Sequence, residues 1–458
     1  MSLATDPLLV AVPASRPPVQ REARLPAGFL AAGATAGIKA SGRPDFVLVT
    51  TDGEPVPAAA VFTPNRFAAA PVRLSAANLR ASGGGGAAYG YAKAIVSTSG
   101  SANAATGDAG DEDQAAIGAA VATALDCRPS HVLHLSTGII GSRLPLDLVM
   151  AAIDTVASGG LSDDDSGLAA AAEALRTTDS VAKAATTTVD APTADGGTAR
   201  ITVTGIAKGV GMIHPRMATM LSIVLTDATA SPQTLHEILR NAASTTWDQL
   251  SVDGDTSTND TVFLLASGRA GAADADRDPV ARGALVAAVE AVARDLARQQ
   301  ARDGEGATAL LTCQVTGAAD DPDARAVARA VISSSLVKAA VHGKDANWGR
   351  IAGAAGNALV AEAPILEASG LSAAVAQVRA GRPAALDPAK LRIAIAGHLA
   401  YDGPNGGPQP IDKGAARAAM DAEEVLIRLD LGLGDGTGEA FGCPLTEEYV
   451  RENSEYTT

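Results

Sequence analysis

The sequence predicts an α/β fold, and its pattern and composition indicate this together. Short runs rich in β-branched residues alternate along the chain with alanine-rich stretches that have helical spacing. Apolar residues make up 47% of the 458, enough for a large core, whereas aromatic residues make up only 3%. Such a core must be built mainly from alanine, valine, leucine and isoleucine. The length leaves room for more than one domain.

Individual strands and helices can be placed from local patterns. Strands are predicted where short runs are rich in β-branched side chains, at residues 46–50, 94–96, 131–135, 200–206 and 220–226. Ser231-Pro232 combines a helix cap with proline in the first turn, and apolar side chains follow at helical spacing. Further helices are expected over residues 285–296 and 321–336. Glycine, proline and polar residues predict loops at residues 83–86, 158–167, 272–278 and 401–410.

The first 27 residues are expected to form a flexible tail. They include Pro13, Pro17 and Pro18 among scattered charges, and they show no helical or strand periodicity. Ordered chain is expected to begin near Gly28.

The charge and the cysteine content of the chain argue against several classes of protein. The 36 Lys and Arg residues against 51 Asp and Glu give a net charge of −15, which argues against a nucleic-acid binder because phosphates attract a basic face. Cys127, Cys313 and Cys443 are odd in number and far apart, which predicts neither a disulfide framework nor a metal motif. No apolar run reaches the roughly 18 residues of a membrane span, and the first residues lack a signal peptide's basic start. A cytoplasmic protein is therefore expected.

Several common catalytic motifs do not occur in the sequence. The six histidines are dispersed, without the spacing of zinc ligands. The glycine-rich run at residues 432–438 does not fit a dinucleotide-binding loop, because the third glycine is displaced and no helix pattern follows. Neither a phosphate-binding loop nor a serine-nucleophile elbow is found. No metal ion and no organic cofactor are predicted.

One stretch departs from the ordinary α/β pattern. Residues 205–221 read GIAKGVGMIHPRMATML, so a strand ends in a glycine-rich loop that carries Lys208 and Pro215 before the next strand begins. Thr219 follows the small residue Ala218 in this loop. By pattern alone Thr219 would be a structural threonine, and no partners for a catalytic triad are evident.

This stretch closely resembles the self-cleaving region of the ornithine acetyltransferase family, also called bifunctional glutamate N-acetyltransferase/amino-acid acetyltransferase. One matching motif would be weak support for this resemblance, whereas eight motifs in the order of the family are strong support. The segment that reads VDGDTSTNDT matches the family signature without change. Besides residues 205–221, the seven matching segments are residues 61–72, 99–107, 135–141, 176–180, 252–261 (the VDGDTSTNDT segment), 304–308 and 344–351.

The resemblance implies a chain that cleaves itself between Ala218 and Thr219 and then uses Thr219 as an N-terminal nucleophile. A threonine hydroxyl is a weak nucleophile alone, but the α-amine of a terminal threonine, with a pKa of about 7.7–8.0, can accept its proton. Thr137 and Gly138 would form the oxyanion hole. The implied substrate-binding residues are Thr177, Lys208, Thr219, Glu305, Asn453 and Thr458.

The family also implies a reaction and an architecture. The reaction is ping-pong acetyl transfer from N²-acetylornithine to glutamate in arginine biosynthesis, without a cofactor and with acetyl-CoA as an additional donor in bifunctional members. Lys208 would hold an α-carboxylate, and Glu305 would hold a cationic side chain. The fold would be a layered α/β sandwich of the ornithine acetyltransferase and aminopeptidase type, with a smaller second domain at about residues 355–458. Residues 28–218 and 219–458 would become two chains that pair and assemble into a heterotetramer.

Three alternatives stay open on the sequence. Glu452 stands where the family has an aliphatic residue, and an added acid beside the pocket would suit a more cationic acceptor in a paralogue of specialised metabolism. A hydrolase or aminopeptidase with the same terminal threonine would release acetate with or without glutamate. A non-catalytic homologue would tolerate Thr219→Ala without loss of function.

The carboxylates of Asp253 and Asp255 either cap the turn that follows or act near the active site.

Overall fold

The elements of the fold come from a computed structural model, which describes residues 8–9, 16–83, 88–214 and 220–455. The strands, numbered in chain order, are β1 Phe29–Ala34, β2 Phe46–Thr51, β3 Val56–Phe62, β4 Tyr89–Ala92, β5 Ala94–Ser101, β6 Val132–Ile139, β7 Lys183–Pro192, β8 Thr198–Lys208, β9 Leu221–Thr226, β10 Leu250–Ser251, β11 Thr261–Ala266, β12 Leu310–Ala318, β13 Arg392–Ile395, β14 His398–Asp402, β15 Gly407–Pro408, β16 Glu424–Asp430 and β17 Gly436–Gly442. The helices are α1 Ala70–Ala81, α2 Gly107–Ala124, α3 Leu146–Ala157, α4 Asp165–Leu175, α5 Pro232–Thr245, α6 Pro279–Arg302, α7 Asp321–Ser333, α8 Ser335–His342, α9 Trp348–Gly356, α10 Ala363–Ala368, α11 Ala373–Arg379, α12 Lys413–Ala419 and α13 Glu447–Glu455.

Two sheets stack face to face in the first unit of the fold. One has four strands in the order β1-β2-β5-β6, and the other has six in the order β4-β3-β11-β9-β8-β7. An apolar core lies between them and takes in one face of α4. Helices α2 and α3 pack on the outer face of the four-stranded sheet, and α5 and α6 pack on the outer face of the six-stranded sheet. This arrangement confirms the predicted layered α/β sandwich.

The central strands β9 and β11 explain why the sequence predicted strands so clearly here. They pair in parallel in the middle of the six-stranded sheet, and every residue of both is buried. Strands covered on both faces read as continuous apolar runs. Since β9 begins at Leu221, the loop that carries Thr219 leads directly into the centre of the sheet.

The second unit has its own sheet and its own core. Its strands follow the order β10-β17-β12-β16-β13-β14-β15, and helices α7 to α9 contribute to the core on one face. This core includes Leu311, Val327 and Ile351. The boundary drawn at about residue 355 from the family resemblance therefore falls inside this unit, because chain from residue 309 onward already packs in it.

Residues 16–27, which the sequence placed in a flexible tail, are bonded to the first unit. Gln20 and Thr186 exchange two backbone hydrogen bonds of 2.8 Å each, which extends the six-stranded sheet beyond its edge strand β7. Arg21 forms a salt bridge of 3.1 Å with Asp295 of α6. Edge-strand pairing needs no periodic side-chain pattern in the added segment, so periodicity does not reveal the pairing of Gln20.

The helix starts follow the sequence more closely than the helix ends. Ser231 Oγ accepts from the Thr234 N–H at 3.3 Å at the start of α5, as predicted. The helix expected over residues 321–336 instead ends at Ser333, and Leu336 is 61% exposed in α8. Ser334 caps the new helix by accepting from the Val337 N–H, so local capping interrupts the apolar stripe. The loop expected at residues 401–410 also contains strand β15.

Candidate active site

The loop that carries the predicted nucleophile connects two paired strands. Lys208 ends β8 and Leu221 begins β9, and these two residues are direct partners in the antiparallel ladder. Ala218 and Thr219 fall within residues 215–219, which lie outside the described residues, as does Thr458. The pairing places Lys208 directly across the ladder from Leu221, the residue that follows Met220.

Lys208 and Thr137 meet between the two sheets of the first unit. Thr137 is buried near the end of β6, and Lys208 Nζ donates to Thr137 Oγ1 at 2.9 Å. Burial lowers the pKa of Lys208, and the nearby Asp179 carboxylate opposes that shift. Because the Thr137 oxygen accepts this bond, its own hydroxyl proton can point toward another acceptor.

Gly138 follows Thr137 in a conformation that side chains other than glycine avoid. Its φ is +132°, and a Cβ at this position would overlap the backbone of Gly100 in the neighbouring strand β5. Only glycine allows this close approach of two backbones. The strand ends therefore fix the position of the Gly138 amide relative to the Thr137 hydroxyl.

Glu305 and Asn453 form a second group of predicted residues. Glu305 Oε2 accepts from Asn453 Nδ2 at 2.9 Å, and Oε1 accepts from Thr178 Oγ1 at 3.3 Å. The Glu305 backbone N–H donates to the Val210 carbonyl at 2.8 Å. Its carboxylate lies against Gly211, where a Cβ would overlap it. The glycine-rich loop after β8 is therefore in direct contact with both ends of Glu305.

Thr177 is joined to the same loop through Asp179. The N–H of Thr177 donates to Asp179 Oδ2 at 3.1 Å, and the N–H of Gly209 donates to Oδ1 at 2.8 Å. Asp179 also accepts from Lys183 Nζ at 2.6 Å, and Lys183 Nζ donates to Asp303 Oδ2 at 2.6 Å. Both the Asp179 and the Lys183 side chains are fully buried.

Sequence reasoning missed this buried ionic network. Burial raises the pKa of Asp179, but the charges of Lys183 and Lys208 and the Gly209 N–H outweigh it and hold the pKa well below its ordinary value. The motif match covered Asp179 without giving it a role. Lys183 and Asp303 are 120 residues apart, so no local pattern signals that they pair.

The VDGDTSTNDT segment holds the loop that precedes the predicted cleavage site. Asp253 Oδ1 accepts from the Ile213 N–H at 2.9 Å and from the Asp255 N–H at 3.1 Å. Asn259 Nδ2 donates to the Ser136 carbonyl at 2.8 Å, beside the predicted oxyanion hole. The turn-capping interpretation of Asp253 therefore holds, and the same carboxylate also accepts backbone N–H bonds from the loop at residues 212–213.

An acidic cavity of about 390 Å³ opens beside Glu305. Its described lining residues include the carboxylates of Asp303, Glu305, Glu452 and Glu455 and no Lys or Arg. Burial raises the pKa of Glu452, and the negative charge of Glu305 adds to the shift. A wall of this charge favours a cationic ligand over an anionic one. Glu452, which departs from the family pattern, thus faces the same space as Glu305.

Asp260 is a buried acid that sequence reasoning did not single out. The next residue, Thr261, donates its N–H to the Met220 carbonyl at 2.8 Å. Asp260 therefore lies close to Met220, the residue just before β9. Its Oδ2 has no hydrogen-bond partner among the described residues. Burial raises the pKa of Asp260 well above its ordinary value, against the lowering effects of Ser257 and Lys208. A neutral carboxyl is therefore favoured at this position.

We expect Asp260→Asn to change how stability depends on pH. The pKa of Asp260 is higher in the folded protein than in the unfolded chain, where it is about 4. Asp260 therefore stabilises the folded state fully at a pH below the unfolded pKa. This contribution is lost as the pH rises through the pKa of the folded protein. Asparagine stays neutral and keeps the shape. The unfolding free energy of the variant relative to the parent should therefore increase from pH 4 to pH 8, as measured by urea unfolding in a Thr219→Ala background. An unchanged difference across this range would contradict the prediction.

Two features are absent from the described parts of the chain, a metal-binding cluster and a membrane-spanning helix. No group of three or more His, Cys, Asp or Glu side chains is placed to hold a metal ion. Among the described helices, none is long and apolar enough to cross a membrane.

Comparisons with known proteins agree on one family. The model of the ArgJ family matches residues 30–458. An arginine biosynthesis bifunctional protein ArgJ of Thermosynechococcus vestitus is 43% identical, covering 94% of this chain and 96% of its own length. The protein of the same name from Thermus thermophilus is 41% identical, covering 95% of this chain and 99% of its own. A crystal structure of ornithine acetyltransferase complexed with ornithine, from Mycobacterium tuberculosis, has 39% identity and a TM-score of 0.38, covering 44% of this chain and 99% of that one.

Proposed function

The chain belongs to the ArgJ family, and on this premise we propose that it transfers an acetyl group from N²-acetylornithine to glutamate in arginine biosynthesis. One observation carries the chemical part of the proposal. Lys208 Nζ and Thr137 Oγ1 are bonded at 2.9 Å beside the strand that Thr219 leads into. A cation and an oriented hydroxyl at this place suit a carboxylate-bearing acyl donor and its oxyanion.

The proposed reaction starts with self-cleavage and proceeds through an acyl-enzyme. The Thr219 hydroxyl attacks the Ala218 carbonyl, the C–N bond breaks to leave an ester and a free α-amine, and water hydrolyses the ester to free the hydroxyl. The α-amine of Thr219 then takes the proton of its own hydroxyl as the oxygen attacks the acetyl carbonyl. The tetrahedral oxyanion receives hydrogen bonds from Thr137 and from the Gly138 amide. Collapse breaks the C–N bond, and the proton passes to the leaving amine of ornithine. Glutamate then takes the acetyl group through its own amine and restores the free Thr219.

Charge supports the proposed orientation of the donor. Lys208 would bind the α-carboxylate, because it is the cation beside Thr137. The acidic cavity lined by Glu305 and Glu452 would receive the δ-ammonium of ornithine. Asn453 would keep Glu305 in place through their bond of 2.9 Å, and Thr177 and Thr458 would complete the site.

Assembly, location and co-substrates are part of the same proposal. The two chains formed by cleavage would stay paired and associate into a heterotetramer in the cytoplasm. No metal or organic cofactor is needed, since the nucleophile, its base and the oxyanion donors all come from the chain. Acetyl-CoA is a candidate second donor.

The proposal is tested by product analysis with purified enzyme. N²-acetylornithine is incubated with and without glutamate, and N-acetylglutamate, ornithine and acetate are quantified by mass spectrometry. Formation of N-acetylglutamate and ornithine in equal amounts supports acetyl transfer. Release of acetate at the same rate without glutamate would instead identify a hydrolase. Transfer only to another, more cationic amine would identify the paralogue that Glu452 suggests.

Thr137→Val tests the oxyanion hole. The change removes the hydroxyl and keeps the shape, so kcat for acetyl transfer should fall by about 10²–10³-fold. Thr155→Val is the matched control, because Thr155 Oγ1 bonds only within α3, to the Ala151 carbonyl at 2.8 Å. Both variants are assayed in their processed form. A Thr137→Val enzyme with the kcat of the control would remove Thr137 from the mechanism.

A further inference from the structure

A cavity of about 560 Å³ lies at the opposite end of the second sheet from Glu305. It is bounded by the second half of β12, the end of β16, the start of β17 and helices α6 and α7, with Leu8 and Arg16 on its outer side. Glu305 lies a few residues before β12 begins at Leu310, so it is near the other end of this strand. None of the predicted site residues that the structure describes lines this cavity. Its volume is typical of small-molecule sites.

Most arginines around this cavity have carboxylate partners. Arg294 Nη2 donates to Glu439 Oε2 at 2.7 Å, and Arg16 Nη2 donates to Glu439 Oε1 at 3.1 Å. Arg298 Nη2 likewise donates to Glu424 Oε2 at 2.7 Å. Pairing of this kind offsets the cost of withdrawing a guanidinium from water.

Two arginines that line the cavity lack such a partner. Arg325, in α7, makes no side-chain hydrogen bond and no salt bridge to a described residue, although it is partly buried. Arg428, in β16, donates only to neutral groups, to Gln314 Oε1 at 3.2 Å and to the Leu8 carbonyl at 3.3 Å. Burial lowers the pKa of both. Two partly desolvated guanidiniums thus face one space without an anion to neutralise them.

The carboxylates of the lining do not supply that anion. Glu439 is shared by two arginines, and Glu290 lies 3.7 Å from Arg16 Nε. Asp321 Oδ1 accepts from the Thr437 N–H at 2.9 Å. Asp321 opposes the lowering of the Arg325 pKa, but the two side chains form no salt bridge. No described carboxylate is hydrogen-bonded to Arg325 or Arg428, so guanidinium N–H groups of both remain available to a ligand.

We propose that this cavity is a second ligand site, which binds a small dianionic metabolite by placing its phosphate or carboxylate oxygens between Arg325 and Arg428. Guanidinium groups bind such oxygens with paired, parallel hydrogen bonds, which a lysine does not reproduce. The lining strands β12 and β17 run from this cavity toward the region of Glu305 and Cys443. The site is separate from the acetyl-transfer chemistry and does not depend on it.

The test measures binding directly in the purified full-length protein, whether or not it is cleaved. Isothermal titration calorimetry is run with sodium phosphate and with sodium succinate at constant ionic strength. We expect saturable binding of at least one of these probes at one site per 458-residue polypeptide, weakened at least tenfold by Arg325→Gln and by Arg428→Gln. Arg277→Gln, which removes an arginine side chain that is 88% exposed, should leave the affinity unchanged. Arg325→Lys should weaken binding as well, because it keeps the charge and loses the planar fork.

A second readout separates ligand binding from a structural role. If Arg325 binds a ligand and does not stabilise the fold, the Arg325→Gln variant should melt, in buffer without the anion, at the temperature of the parent or above it. Its acetyl transfer should persist. The absence of saturable heat with both probes in the parent would overturn the proposal. Equal affinity in the parent and in Arg325→Gln would do so too, as would a marked loss of anion-free stability in that variant.

Discussion

A chain that carries Thr219→Ala should remain a single polypeptide and should lose acetyl transfer. The parent is expected to give two masses on denaturation, matching residues 1–218 and 219–458, because the proposed self-cleavage starts with attack of the Thr219 hydroxyl on the preceding carbonyl. Without that hydroxyl neither cleavage nor an acyl-enzyme can form. Transfer should fall by at least about 10³-fold, as for other enzymes that lose their nucleophile. Intact mass of the denatured protein and the rate of N-acetylglutamate formation measure the two effects.

The matched control is Thr219→Ser, which keeps a hydroxyl at the same position. It should still be cleaved, at a rate that the intact mass follows over time. An uncut parent would remove the N-terminal nucleophile from the mechanism and favour a non-catalytic homologue. Cleavage in Thr219→Ala would show that another residue cuts the chain.

Replacing Lys183 by methionine is expected to cause the largest loss of stability. The change leaves the fully buried Asp179 and the mostly buried Asp303 without the ammonium that each contacts at 2.6 Å. Removing one partner of a buried ion pair costs about 3–5 kcal/mol, because the remaining charge is uncompensated. The loss should appear as a lower urea midpoint, with Thr219→Ala as the background so that one intact chain is compared.

The control and the pH dependence make this prediction specific. Arg21→Met breaks the more exposed pair with Asp295 and should cost at most about 1 kcal/mol. Since the folded pKa of Asp179 is depressed, its contribution is present above the unfolded pKa of about 3.9 and is lost as pH falls through the folded value. Without the ammonium, burial raises the pKa of Asp179 in the variant, so the effect of Lys183→Met should be largest near pH 8 and should shrink as pH falls toward 4. A midpoint equal to that of Arg21→Met would show that the network adds little.

Much of the site could be predicted because its residues sit in short, recognisable motifs. Lys208 lies where β8 enters the glycine-rich loop, Thr137 and Gly138 lie at the end of a strand, and Glu305 lies in a turn. The structure brings Thr137 and Lys208 into contact and places Glu305 against the loop after β8. Asp260 could not be found in the same way, because a buried acid with an unbonded oxygen is defined by its surroundings.

The sequence by itself determined the α/β class, the central strands and the family. Continuous apolar runs and caps such as Ser231 are local signals, and their physical causes act within a few residues. Only the tertiary structure decided that Gln20 extends an edge strand, that the second core begins near residue 309, and that Lys183 pairs with Asp303. These features depend on groups far apart in the chain, whose free energy of interaction exists only once folding has brought them together and removed water from between them.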